Sequence, residues 1–189
     1  MTWTSIHDAV VEHFKASSRQ GSIRCLQRFP YFFEDWLRAE VLIGLRERFP
    51  AIRLLSNTNY KGFDKPDVVV EDVGFMAVVA LKHIATLNAD AASRWDGGKG
   101  STVLKDILKL RGAGAEDVAR RVVVFYGPAV LWAHEPGAAC DKNRPCCIGC
   151  STRHLSQMLE AAGHRPPAAL VRVTLLEPEA TFHLLEFEP

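Results

Sequence analysis

At 189 residues, with 48% apolar and 24% charged residues, the chain is long enough to bury a substantial core and has ordinary globular composition. That excludes collagen-like, coiled-coil and broadly disordered chains, and a net charge of +1 removes any whole-molecule argument for a polyanionic partner. No apolar run approaches the roughly 20 residues of a membrane helix. His7, Asp8 and Glu12 interrupt the stretch that a signal peptide would keep apolar, so a cytoplasmic protein without a membrane segment is expected.

In chain order, Ile6, Val10, Val11 and Phe14 stand at helical spacing and predict a first helix over Ser5–Ala16. A second helix is expected from about Pro30 to Arg48, with Phe33, Trp36, Leu37, Val41 and Leu45 on one stripe and Pro50 stopping it. Three extended segments follow, Ile52–Leu55, Pro66–Glu71 and Phe75–His83, the last two joined by a tight hairpin turn. Ala85–Gly100 is rich in Ala, Asp, Ser and Gly and is expected to loop. Ser101 is a candidate N-cap for a helix through Leu110. A strand at Val122–Tyr126, an irregular cysteine-rich loop at Cys140–Cys150, a helix from Ser151 to about Ala162, and strands at Ala168–Leu176 and Thr181–Phe187 complete the chain. With no repeat and no linker, residues 1–189 read as a single α/β domain with a mixed sheet flanked by helices.

The stretch that carries chemistry is Lys65-Pro66-Asp67-Val68-Val69-Val70-Glu71, followed by Met76-Ala77-Val78-Val79-Ala80-Leu81-Lys82. Side chains alternate along a strand, so residues 80 and 82 share a face, and a hairpin would set Asp67 near them. Carboxylates that hold a divalent ion, with a cation beside the attacking water or the phosphate, are what phosphodiester hydrolysis needs.

A Pro-Asp, a short hairpin and a strand ending in acid-x-Lys resembles the signature of the PD-(D/E)xK, restriction-endonuclease-like nucleases. The segment order over residues 30 to about 132 is similar to that superfamily's αβββαβ core. The resemblance implies a metal-dependent DNA endonuclease, in a restriction, repair or phage-defence setting, with Mg²⁺ or Mn²⁺ as cofactor. It assigns Asp67 to the metal-binding aspartate and Lys82 to the catalytic lysine. Glu40 is the first choice for the helix carboxylate and Glu34 the second. DNA is the implied partner, and a homodimer or a partner subunit is open. From Arg94 to Arg121 seven basic residues stand against four acidic ones, and Lys99, Lys105 and Lys109 are the candidate nucleic-acid contacts.

The departure from the pattern is Ala80, where the signature has Glu or Asp; alanine cannot ligate a metal. Three accounts are open. A deliberate Glu→Ala exchange would disable an otherwise active enzyme, and is preferred. A naturally degenerate chain would keep the fold as a non-catalytic nucleic-acid-binding or regulatory subunit. Or the acid has migrated, with Glu71 or Asp72 nearest, although their turn should lie at the far end of the strands from Lys82. Weak or absent cleavage by the Ala80 protein is expected in each case.

Cys140, Cys146, Cys147 and Cys150 fall within eleven residues, which in a chain without a secretion signal argues metal before disulfide. A structural Zn²⁺ could take Cys140, Cys147, Cys150 and either Cys146 or His154. Reduced surface thiols are the alternative, and an iron–sulfur cluster that also uses Cys25 a more distant one. His83 should face away from Lys82. His134 and His164 read as surface residues, and the Gly-rich stretch from Trp95 to Gly100 lacks phosphate-loop spacing.

Overall fold

The computed structural model describes residues 1–16, 21–23, 33–84, 103–112, 117–126, 147–166, 168–176 and 182–189. Helix α1 (Trp3–Lys15) begins at Thr2, whose hydroxyl accepts the Ser5 N–H at 3.3 Å while the Ser5 hydroxyl accepts the Thr2 N–H at 3.2 Å. This reciprocal cap satisfies two amides that the first turn leaves without helical partners. Helix α2 (Phe33–Arg48) buries Leu37, Val41 and Leu45 against Ile6, Val10 and Phe14 of α1. The two helices touch closely where His13 lies over Gly44: a Cβ on Gly44 would stand 2.7 Å from His13 Cγ.

The strands are β1 (Arg53–Leu55), β2 (Val68–Asp72), β3 (Phe75–Ile84), β4 (Ala119–Tyr126), β5 (Ala168–Leu176) and β6 (Phe182–Glu188). They form one mixed sheet in the order β1-β2-β3-β4-β6-β5. Among the described strands only the β3–β4 pair is parallel, and helix α3 (Val103–Gly112) lies between those strands in the chain, as a parallel crossover requires. The β2–β3 hairpin closes at Asp72↔Phe75 around Val73 and Gly74, and Gly74 takes the left-handed φ of +70° that its turn demands.

Strand alternation divides the interior in two. Val68, Val70, Ala77, Val79, Leu81, Val123 and Phe125 face α1 and α2. Val69, Val78, Ala80, Val122 and Val124 face the other way, toward Val103, Ile107 and Leu110 of α3 and Leu155 and Leu159 of helix α4 (Ile148–Ala161). Each sheet face thus has its own apolar layer, as expected of an α/β protein with helices on both sides.

Most expected elements occur within a few residues of their expected bounds, and two differ for physical reasons. The cysteine-rich loop does not extend to Cys150: Cys147 is the N-cap of α4, its Sγ accepting the Cys150 N–H at 3.3 Å, and residues 148–150 are already helical. Strand β4 begins at Ala119 rather than Val122, because Arg120 and Arg121 set their guanidinium groups over aromatic rings, Phe63 at 5.6 Å and Trp3 at 5.1 Å. The expected Ala85–Gly100 loop, Cys25 and His134 lie outside the described residues. No helix among the described residues is long and apolar enough to cross a membrane.

Candidate active site

The site is built at the end of the β2–β3 hairpin opposite its turn. The hairpin register pairs Val68 with Val79, so one step further sets Asp67 beside Ala80. Asp67 is fixed there by its own side chain: Oδ2 accepts the Leu81 N–H at 2.8 Å, and Oδ1 accepts from Arg38 Nη1 at 3.2 Å. Arg38 is held in turn by Asp35, one helical turn earlier.

The loop before Asp67 is tied down at several points. Asn57 N–H donates to the Pro66 carbonyl at 3.0 Å, Ser56 Oγ to the Asp67 carbonyl at 2.7 Å, and Tyr60 and Phe63 exchange backbone bonds at 2.9 and 2.7 Å. Asn57, Lys61 and Lys65 take left-handed φ values of 51°, 44° and 42°. For side chains with a Cβ this costs on the order of 1 kcal/mol each, and such strain is held only where surrounding bonds over-determine it. It is spent on delivering Pro66-Asp67 to the strand end.

Lys82 stands on the same sheet face as Ala80 and is 9% exposed. Its Nζ lies 3.2 Å from Glu34 Oε1, in the first turn of α2, and 3.4 Å from Asp106 Oδ2, in the first turn of α3. Burial pushes the ammonium toward its neutral form. The attraction of Asp106, Glu34 and Asp67, with the Glu34 hydrogen bond, outweighs it and raises the Lys82 pKa. Lys82 is therefore a fixed cation rather than a proton acceptor at neutral pH.

Ala80, Asp67, Asp106 and Lys109 line one small pocket with Phe63 and Pro66. It measures about 30 Å³, room for water. Asp106 is 8% exposed. Two carboxylates beside a water-sized pocket are a donor set that suits a hard ion such as Mg²⁺, which keeps most of its waters and takes one or two carboxylates. Among the described residues no three His, Cys, Asp or Glu side chains are already grouped closely enough to hold an ion unaided.

Of the residues singled out from sequence, the fold brings together Asp67, Ala80 and Lys82. It also brings Glu34, the second choice for the helix carboxylate. Glu40, the first choice, is buried against α1 instead, its Oε2 2.7 Å from His13 Nε2. The spacing explains the exchange: Glu34 starts α2 at the strand ends, whereas Glu40 lies six residues on, about 1.7 turns, and so on a different side of the helix. Glu71 and Asp72 lie at the hairpin turn, away from Lys82. Glu71 pairs with Arg53 at 2.8 Å and accepts from Tyr60 Oη, and Asp72 lies 3.5 Å from the Met1 amino group. Burial, and next the Glu71 carboxylate, push the Tyr60 phenol up to about 12.

Lys109 is half-exposed at the pocket rim, 3.7 Å from Asp64, and Lys105 is exposed on the same helix. Lys99, Cys140 and Cys146 lie outside the described residues. Cys147 Sγ is 3.3 Å from Cys150 Sγ, and His154 follows Cys150 by one turn of α4. His83 is buried, on the face opposite Lys82 by strand alternation. Asp106, which lines the pocket and lies 3.4 Å from Lys82, was not singled out from sequence. Its signal was a carboxylate beside Val103, Ile107 and Leu110 on the apolar stripe of a helix, a placement that requires a charged partner. No family model, no curated protein and no solved structure matches the chain.

Proposed function

We propose that the protein is a metal-dependent nuclease with a restriction-endonuclease-like core, hydrolysing DNA phosphodiester bonds at the Asp67–Lys82 site with Mg²⁺ or Mn²⁺. The observation that carries this reading is that Asp67 and Asp106 line one water-sized pocket at a strand end, with Lys82 3.4 Å from Asp106 and 3.2 Å from Glu34. Separate elements supply these groups, and nothing in forming a sheet requires them to meet.

A divalent ion at the carboxylates would activate water and neutralise the charge that builds on phosphate oxygens. Asp67, locked by the Leu81 amide and Arg38, is oriented to hold it without further ordering. Lys82, kept protonated by its carboxylate neighbours, stabilises negative charge on the phosphate rather than removing a proton. In the reaction, the oxygen of water bonds to phosphorus and one P–O ester bond breaks. A proton from water ends on the departing oxygen. Lys109 at the pocket rim, and the exposed Lys105 one turn before it on α3, would contact neighbouring phosphates, and their contribution would weaken with added salt.

The second reading, a nuclease fold kept only for nucleic-acid binding, draws on Ala80 alone. The two separate in a cleavage assay on plasmid and single-stranded DNA with Mg²⁺ or Mn²⁺, run on the Ala80 protein and on Ala80→Glu. Metal-dependent cutting by either form, lost on Asp67→Asn, is the expected result. Absence of cutting by both on every substrate would sink the nuclease reading in favour of the binding module.

A further inference from the structure

We infer that Asp106 supplies the carboxylate that the signature assigns to residue 80, so that Ala80 is the native partner of a relocated acid rather than a lesion. This rests on the nuclease reading above and specifies its ion-binding residues. Ala80 and Asp106 line the same pocket, one from β3 and one from α3, with Asp67 alongside. A carboxylate carried on α3 therefore points into the space that an acidic side chain at position 80 would enter.

Charge and burial favour this arrangement. Asp106 is 8% exposed, and Val103, Ile107 and Leu110 around it on α3 belong to the apolar core. A carboxylate there is costly unless it has a role that offsets its desolvation. The first turn of a helix favours negative charge, but by only about 0.3–1 kcal/mol, less than burial of an ion costs. Lys82 at 3.4 Å provides a counter-charge that Glu34 already shares.

Around the pocket and its ion pairs, Glu34, Asp35, Asp64, Asp67 and Asp106 stand against Arg38, Lys65, Lys82 and Lys109, five acids to four bases, which leaves one excess negative charge. A divalent cation would reverse that excess. A further carboxylate at residue 80 would double it around a pocket of about 30 Å³. Alanine at 80 and aspartate at 106 are in this sense one choice.

The test is Mn²⁺ titration calorimetry on the full chain, beside the cleavage assay, for the Ala80 protein, Asp106→Asn, Asp106→Glu, Ala80→Glu and the double variant Asp106→Asn/Ala80→Glu. Glu71→Gln, at the far end of the hairpin, is the control. The Ala80 protein is expected to bind Mn²⁺ and to cut. Asp106→Asn should weaken Mn²⁺ at least about tenfold, in line with the 10–100-fold effect of disturbing a metal site's supporting residues. Asp106→Glu should retain part of the affinity, Glu71→Gln all of it, and the double variant should regain both binding and cutting. If Asp106→Asn binds Mn²⁺ as tightly as its parent, or fails to fold while Asp106→Glu loses binding that Ala80→Glu cannot restore, the inference is overturned. If Ala80→Glu cuts while the Ala80 protein does not, and Asp106→Asn leaves Ala80→Glu unchanged, the nuclease reading stands and the relocated acid falls. No Mn²⁺ binding and no cutting by any form would remove both.

Discussion

Replacing Gly44 by alanine sets two effects of known size against each other. Gly44 sits inside α2, where alanine gains about 1 kcal/mol of helix propensity. The added Cβ would lie 2.7 Å from His13 Cγ and 2.8 Å from His13 Cβ, separations that real Cβ atoms essentially never show. Those atoms are the root of the histidine rather than its mobile end. His13 is also held at both ring nitrogens, by Glu40 at 2.7 Å and Glu47 at 3.3 Å. Relief therefore requires α1 to move off α2, disturbing the packing of Ile6, Val10 and Phe14 on Leu37 and Val41. Overpacking of this kind costs about 1–3 kcal/mol, with larger values where nothing yields. With both ring nitrogens held, the upper part of that range applies, about 2–3 kcal/mol, and the net expectation for Gly44→Ala is a loss of about 1–2 kcal/mol, or roughly 2–8 °C in Tm for a chain of this size. Gly112, at the exposed end of α3, has nothing within 4 Å of its ideal Cβ, and Gly112→Ala should be neutral or slightly stabilising. Thermal unfolding followed by circular dichroism measures both. A Gly44→Ala protein at least as stable as its parent would refute the claim that the α1–α2 contact is set by this close approach.

Two other perturbations probe the charged contacts. Lys82→Met removes the cation shared by Asp106 and Glu34; unpairing a buried ion costs about 3–5 kcal/mol. Because Glu34 is half-exposed, about 2–3 kcal/mol is expected by urea denaturation. A loss below about 0.5 kcal/mol would mean that the three groups do not form a buried ion cluster. The second concerns His7, whose pKa is raised above 6.5, chiefly by its hydrogen bond to Glu186 against the opposing effect of burial. Its contribution to stability is fully present below the unfolded pKa and is lost as pH rises through the folded one. Stability measured from pH 6 to 8 should carry a falling component that His7→Gln removes, and an unchanged pH profile in that variant would count against the His7–Glu186 pair.

How far the sequence spoke for itself differs between fold and site. Val68–Val70 and Ala77–Leu81 are apolar and largely β-branched on both sides of a Val-Gly turn, so the hairpin and its register could be read directly. That register alone places Asp67 beside Ala80. The helix carboxylate was harder, because a helix offers Glu34 and Glu40 on different turns. Only packing decides which turn overhangs the strand ends, and His13 on α1, distant in sequence, claims Glu40. Asp106 was illegible for a related reason. Its partner Lys82 lies on another element, so no local pattern announces the pair. The start of α4 was missed because a cysteine sulfur, rather than a serine hydroxyl, caps it.

Lys82 is one side chain on one strand, yet it touches α2 through Glu34 and α3 through Asp106, helices that cover opposite faces of the sheet. Among the described residues the two apolar layers form separate clusters, one on each side of the sheet. At the described strand end an electrostatic connection runs around the edge of the barrier, through a buried ammonium. Local opening of either helix would leave that ammonium under-compensated and weaken the hold on the other. The same three atoms thus couple the two sides of the sheet, and the place where chemistry is proposed is also a place where each side depends on the other.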